Sequence, residues 1–235
     1  YVGSRDNLEY SERSISSLFF NGQHSRKDNK LKIDWRVAPT FSRIADKDIR
    51  STSYRTEDNE FAIAPGETGF PNRIWRNLNE FNLSNRLDVT RTHELPGKDA
   101  KTKYGISYNA KYRDYEILRY QLRAKSLGDL DALTGDADEL LTSAYTWDVI
   151  SDAGMYYSGN YEANNAYQGI QSNFATYISE EFSINTLSKV VVGLRMERYD
   201  QFYTGVDQQE AAAPGTGVNY QLEPVLNNFR LFPTA

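Results

Sequence analysis

Two histidines are the residues best suited to proton transfer near neutral pH, and each sits beside a different short turn: His24 and His93. Neither has a nearby Ser or Cys in a nucleophile motif. Cysteine is absent, which removes thiolate chemistry and any disulfide framework and leaves the redox compartment undetermined. No Walker sequence, dinucleotide fingerprint or His-Glu-x-x-His pair occurs. The acidic run Asp129, Asp131, Asp136, Asp138 and Glu139 offers oxygen ligands for calcium, but it misses the EF-hand spacing. Position five falls on Leu133, and Gly135 comes one place late. A short loop helix ending near Leu141, with the acids on a solvated face, explains the run as well. Carboxylate pairs are plentiful, yet glycosidase chemistry needs a geometry that abundance does not supply. The expectation is a protein that is not an enzyme and has no cofactor or metal.

Aromatic side chains offer recognition instead. One long, irregular stretch carries Tyr54, Phe61, Phe70 and Trp75, and a second carries Tyr145, Trp147, Tyr156, Tyr157 and Tyr161. Aromatic faces suit the rings of sugars or aromatic siderophores, and desolvated aromatics dominate many interfaces. Tyr54, Phe61, Phe70, Trp75, Tyr145, Trp147, Tyr156 and Tyr157 are therefore the candidate ligand contacts. The alternative is that they fold the loops down on one another.

Residues that act from loops need a scaffold, and the hydrophobic period describes one. Leu31, Ile33, Trp35, Val37 and Phe41 alternate with Lys32, Asp34, Arg36, Thr40 and Ser42. Phe81, Leu83, Leu87 and Val89 alternate with polar neighbours, as do Tyr104, Ile106, Tyr108, Ala110 and Tyr112. Val190, Val192, Leu194 and Met196 form a fourth row. Period two over such lengths cannot be seated as a one-faced helix, so these are strands. Weaker strands run from about Ser14 to Gln23 and from Ile170 to Phe182. The 17 Tyr beside only 2 Met lean the same way.

Short polar connections at His24 to Asn29, Glu94 to Ala100 (with Pro96-Gly97) and Ser183 to Ser188 read as hairpin turns. Between them lie three long segments, about Arg43 to Asn79, Leu118 to Gly169 and Phe202 to Asn227, without sustained period. In an antiparallel meander the long loops then share one side. Compact soluble domains rarely carry three loops of that length, whereas outer-membrane barrels do. The strands also meet the roughly 9–11 residues of a bilayer crossing, and several Tyr fall near strand ends. The fold expected is all-β: an antiparallel transmembrane β-barrel segment of about seven long strands, with short periplasmic turns and long extracellular loops. Lys32, Asp34, Arg36, Arg86, Asp88, Lys103, Lys111, Arg113, Arg195 and Glu197 face inwards, lining a permeation path, gripping a plug, or neutralising one another on a wet wall. Across the second hairpin the register expected joins Asp88 to Lys103 and sets Arg86 over Gly105.

The stretch Phe174-Ala175-Thr176-Tyr177-Ile178, a short turn, then Gly193-Leu194-Arg195-Met196-Glu197-Arg198 resembles a mid-barrel hairpin of TonB-dependent receptors. Leu226-Asn227-Asn228-Phe229-Arg230-Leu231-Phe232-Pro233-Thr234-Ala235 resembles the start of the following strand, and Tyr10-Ser11-Glu12-Arg13-Ser14 also fits. The resemblance implies a barrel of about 22 strands closed by an N-terminal plug, importing a scarce nutrient (siderophore, vitamin or glycan) with energy passed on by TonB. It further implies a bacterial outer-membrane location. The implied partners are outer-membrane lipid, TonB through a plug absent from this chain, a small-molecule or oligosaccharide ligand, and a surface lipoprotein. Residues 1–235 would be the middle portion of such a barrel, because neither a plug nor a terminal aromatic strand is present.

Composition sets the outer limits. At 235 residues the chain is one large domain or two small ones, and no run of about 18 apolar residues marks a transmembrane helix. No signal peptide is present, and the opening on Tyr1 suggests a mature or excised piece. A net charge of −5 gives no basic face for nucleic acid. The competing function is a soluble all-β binding module that recognises glycan or protein through the aromatic-rich loops. An outer-membrane enzyme on a smaller barrel is a more distant third.

Overall fold

The computed structural model describes residues 2–28, 30–58, 60–63, 69–95, 98–125, 142–160, 163–185 and 187–234. The strands are β1 (Val2–Leu8), β2 (Ser11–Ser17), β3 (Phe20–Ser25), β4 (Leu31–Glu57), β5 (Glu60–Ala62), β6 (Asn72–Leu95) and β7 (Lys98–Ala124). They continue as β8 (Met155–Asn160), β9 (Ala166–Ser183), β10 (Lys189–Val206) and β11 (Asn219–Thr234), with a short helix α1 (Gln208–Ala212) before the last. The sheet runs β1-β4-β6-β7-β9-β10-β11, with β2, β3 and β5 also on β4 and β8 on β7. The path is open: no pairing among the described residues joins β11 back to β1. No described helix is long and apolar enough to cross a membrane, which leaves strand crossings untouched.

The chain forms two compact units. The first comprises Tyr1–Arg13, Ile44–Leu78 and Tyr115–Ala166; the second comprises Ser14–Arg43, Asn79–Asp114 and Tyr167–Ala235.

In the second unit the alternation of the sequence becomes two unlike faces. Phe81, Ile106, Ile178 and Leu194 stand on the apolar face, each 44–55% exposed. On that face Trp35 lies over Gly22, where a Cβ would come 2.4 Å from the indole nitrogen, so a larger residue would displace the indole. The opposite face is a ladder of polar contacts. Gln23 donates to Asp34 (2.6 Å), Ser84 to Asn109 (2.7 Å), Arg113 to Glu80 (2.9 Å) and Arg86 to Asp88 (2.6 Å). The Tyr177 hydroxyl donates to Asp88 as well, at 2.8 Å.

All three hairpin turns close within this unit. Arg26 N–H donates to the Leu31 carbonyl, and the Asn185 side chain accepts from the N–H groups of Leu187 and Ser188, an Asx-type turn. Thr92 N–H donates to the Lys30 carbonyl at 2.8 Å, and Lys103 lies 3.6 Å from Glu181. The three turns therefore share one end of the unit. β11 carries Pro224 and Pro233, which cannot donate to a ladder and are tolerated on this outermost strand of the path.

The expected register of the second hairpin is corrected. Asp88 lies beside Gly105, Ser84 beside Asn109 and Glu80 beside Arg113, a slip of two residues from the pairing of Asp88 with Lys103. Strand ends at Leu95 and Lys98 leave a two-residue connection, Pro96-Gly97, which lies outside the described residues. A connection that short fixes the pairing of the strands it joins. An exposed ion pair contributes about 0–1 kcal/mol, too little to oppose it. Gly105 makes room for the Tyr177 ring and the Asp88 carboxylate, which a Cβ would approach to 2.5 and 2.7 Å. Lys103 turns to Glu181 instead.

In the first unit β1 pairs with β4 from Val2↔Thr56 to Leu8↔Arg50, and Asp48, two residues before the paired stretch of β4, has a φ of 55°. A small core of Tyr54, Ile63, Leu122 and Met155 forms here. The segments expected as long loops are partly strand: β4 continues to Glu57, β6 starts at Asn72, β7 reaches Ala124, and β8 returns along it from Arg119↔Asn160 to Ala124↔Met155. Alternation reports a strand with one dry and one wet face. Where side chains of both faces are partly or fully covered, as at Ile49, Ser51, Ser53 and Tyr54, the signal is lost although the ladder persists. The third long segment is likewise shortened by β10, which runs to Val206, by α1 and by β11.

Candidate functional site

The first unit holds an apolar cavity of about 290 Å³ lined by Leu122, Thr142, Tyr145, Thr146, Trp147, Met155, Tyr156 and Tyr157. Its floor comes from strands: Met155 pairs opposite Ala124, and Tyr157 opposite Leu122. Its wall is a tight reversal. Trp147 N–H donates to the Met155 carbonyl and Asp148 N–H to the Ala153 carbonyl. Asp148 caps the turn by accepting from the Ser151 N–H (2.8 Å), the Ser151 hydroxyl (3.0 Å) and the Ile150 N–H (3.0 Å). Those bonds, led by the Ser151 amide, hold its carboxyl below the usual carboxylate range. Gly154 is required on two grounds: its φ is 117°, and a Cβ there would lie 2.8 Å from the Trp147 backbone.

Trp147 is held at its indole nitrogen and by a cation at its ring. Its Nε1–H donates to Asp152 at 3.2 Å, and the Lys125 ammonium, paired to the same carboxylate, sits 5.0 Å from the ring centroid. Lys125 first, then the indole N–H, depresses the Asp152 carboxyl. A second clamp stands on Tyr157. Arg73 lies 5.6 Å from that ring and 5.2 Å from Trp75, while donating two 2.6 Å hydrogen bonds to Asp48. Arg50 donates to Asp48 as well, at 2.7 and 2.9 Å. Arg73 and then Arg50 pull the Asp48 carboxyl down to about 2 from its ordinary 3.8. The bidentate carboxylate in turn keeps Arg73 charged, with its affinity for the proton raised.

Four of the eight candidate aromatics, Tyr145, Trp147, Tyr156 and Tyr157, meet in this cavity. Trp75 packs edge-on against Tyr120, with centroids 5.4 Å apart, and shares Arg73 with Tyr157. Phe70 lies under Arg123 at 4.8 Å. Tyr54 is buried in the small core at 6% exposure and presents no face to a ligand. Phe61 is placed by its backbone alone, opposite Thr56 in β5. The acidic run from Asp129 to Glu139, and Tyr161, lie outside the described residues. Sequence reasoning missed Leu122 and Met155 as cavity floor, and Arg73 and Lys125 as clamps. One signal was present for Arg73, which stands two residues before Trp75 and so shares its face of a strand.

The histidines occupy separate contacts in the second unit. Trp35 Nε1 donates to His24 at 3.2 Å, and His93 lies 3.1 Å from Glu180. What the cavity offers is a set of ring faces with two threonine side chains at its margin, sized near the lower end for small-ligand pockets of roughly 300–1,000 Å³. Such a space takes one flat ring, a sugar residue or an aromatic group, stacked on tyrosine or tryptophan. No protein-family model matches this chain, and a comparison with curated proteins finds no match.

Proposed function

We propose that the chain is part of the barrel wall of a TonB-dependent outer-membrane receptor that imports a scarce nutrient, a siderophore, vitamin or glycan. The observation that carries this reading is the second unit's exposed apolar face. Phe81, Leu87, Ile106, Tyr108, Ile178 and Leu194, from four different strands, all stand 40–55% exposed. Contiguous apolar surface of that kind marks an interface or a membrane. The opposite face of the same strands is polar and internally paired, as a water-filled lumen requires. The unit's stretches of β4, β6, β7, β9, β10 and β11 exceed the roughly 9–11 residues of a tilted crossing.

In this reading the second unit crosses the bilayer with its three turns towards the periplasm, and the aromatic cavity of the first unit is the place of ligand capture. The open edge of β11 would need a further strand against it, since unpaired backbone in hydrocarbon costs several kcal/mol per group. The protein acts as a receptor and carries out no catalysis. Its partners are lipid, a plug that reaches TonB, a small-molecule or oligosaccharide ligand, and a surface lipoprotein.

Fractionation of a Gram-negative host that expresses the protein tests this directly. Recovery in the outer-membrane pellet, released only by detergent and heat-modifiable on gels, is the expected result. Recovery in the aqueous fraction as a folded species would overturn it in favour of a soluble all-β binding module.

A further inference from the structure

A second cavity in the first unit, of about 420 Å³, has a different chemistry from the aromatic one. Arg5, Asn7, Glu9, Ser51, Arg76, Arg119 and Asn165 supply its polar lining. The three arginines come from β1, β6 and β7, and β4 separates β1 from β6 in the sheet. With neighbouring strands about 4.8 Å apart, Arg5 and Arg119 rise from backbones roughly 14 Å apart and reach into one groove.

Their charge balance is uneven. Arg76 is neutralised, 2.8 Å from Asp46 and 3.3 Å from Glu9. The described partners of the other two are neutral: Arg5 Nε donates to the Ser51 hydroxyl at 2.7 Å, and Arg119 reaches the Asn72 side-chain oxygen at 3.3 and 3.4 Å. Each bond leaves further N–H donors of the guanidinium uncommitted, and a guanidinium stays charged at any working pH. Two such forks facing one groove suit a ligand with an oxyanion at each end, because the planar fork meets carboxylate or phosphoryl oxygens two at a time. The hydroxyl of Ser51 and the amides of Asn7 and Asn165 would take the polar atoms between.

We propose that the groove between Arg5, Arg76 and Arg119 binds a small ligand carrying at least two oxyanion groups, carboxylate or phosphoryl. This assignment is independent of the membrane reading, since it rests on one unit and its own side chains.

Titration calorimetry of the full protein with tricarballylate and, separately, pyrophosphate tests it at near-physiological salt. Saturable binding of at least one probe is expected, weakened about tenfold or more by Arg5→Gln and by Arg119→Gln, as for the loss of a charge-assisted hydrogen bond. Arg91→Gln, at an exposed arginine in the second unit, should leave it unchanged. Preference for one probe then tells a carboxylate source from a phosphoryl one. No saturable binding of either probe, or equal weakening by all three variants, would overturn the site. Unchanged thermal melts of the variants would exclude misfolding as the cause.

Discussion

Strands β4, β6 and β7 each contribute one stretch to each unit, yet their apolar residues end in opposite environments. In the second unit Phe81 and Ile106 stand 44% and 47% exposed; in the first, Tyr54 and Leu122 stand 6% and 5% exposed. Strand-forming chemistry is common to both, so it does not distinguish them. What differs is what covers the apolar side. In the first unit β8 and the reversal before it return chain over Leu122 and pack Met155 on it. In the second unit no described element covers that face. The sheet buries its apolar residues in one unit and leaves them bare in the other, and the proposed function assigns the bare face to lipid.

Truncations in the two units should therefore behave differently. Leu122→Ala opens a hole in a small packed core and should cost about 2–5 kcal/mol in a folding titration. Val192→Ala should cost well under that, because Val192 is 48% exposed and its truncation leaves no packed hole. Equal costs would erase the contrast. Charge gives the converse test. Val192→Arg should cost about 2–4 kcal/mol if the site lies near the bilayer midplane, while Ser107→Arg on the polar face should be tolerated. Equal destabilisation at the two sites would argue that both faces meet the same medium.

A smaller effect is expected at Gly105. Its added Cβ meets not only the Tyr177 ring and Asp88 but the Leu87 carbonyl at 2.8 Å, which is backbone and cannot step aside. Gly105→Ala should cost about 1–3 kcal/mol by overpacking, detectable as a lowered urea midpoint. No loss would mean that Asp88 does not sit opposite this glycine.

One pH-dependent contribution arises in the first unit. Asp48 has its carboxyl held at about 2 against an ordinary 3.8. A depressed acid contributes stability above its unfolded value, and that contribution is lost as pH falls from about 4 through about 2. Urea midpoints should drop across that window, and Asp48→Asn should flatten the step while lowering the plateau above it. A step of the same size in Asp48→Asn would place its origin elsewhere.

Much of the second unit is legible in the sequence. Rows such as Tyr104, Ile106 and Tyr108 against Lys103, Gly105 and Ser107 specify a strand and both its faces. Register is the exception: alternation allows pairings that differ by two residues, and the one that joins Asp88 to Lys103 is not the one that the short connection sets. The first unit was nearly silent. Ile49, Ser51 and Tyr54 are all covered there, which removes the alternation that marks a strand. The aromatic site was half legible. Residue type pointed to Tyr145, Trp147, Tyr156 and Tyr157, but only tertiary structure separates them from Tyr54, which packs inwards. The arginine groove had no sequence signal, because Arg5, Arg76 and Arg119 are brought together by strand order alone.

The three tryptophans divide between the two environments, with Trp35 on the apolar face of the second unit and Trp75 and Trp147 in the first. Single-tryptophan versions retaining only Trp35 or only Trp147, reconstituted in bilayers with brominated acyl chains, measure lipid contact directly. Strong quenching of Trp35 with Trp147 little affected is the expected result. A Trp35 as bright as in unbrominated lipid, or equal quenching of the two, would contradict the assignment of the second unit's apolar face to the membrane.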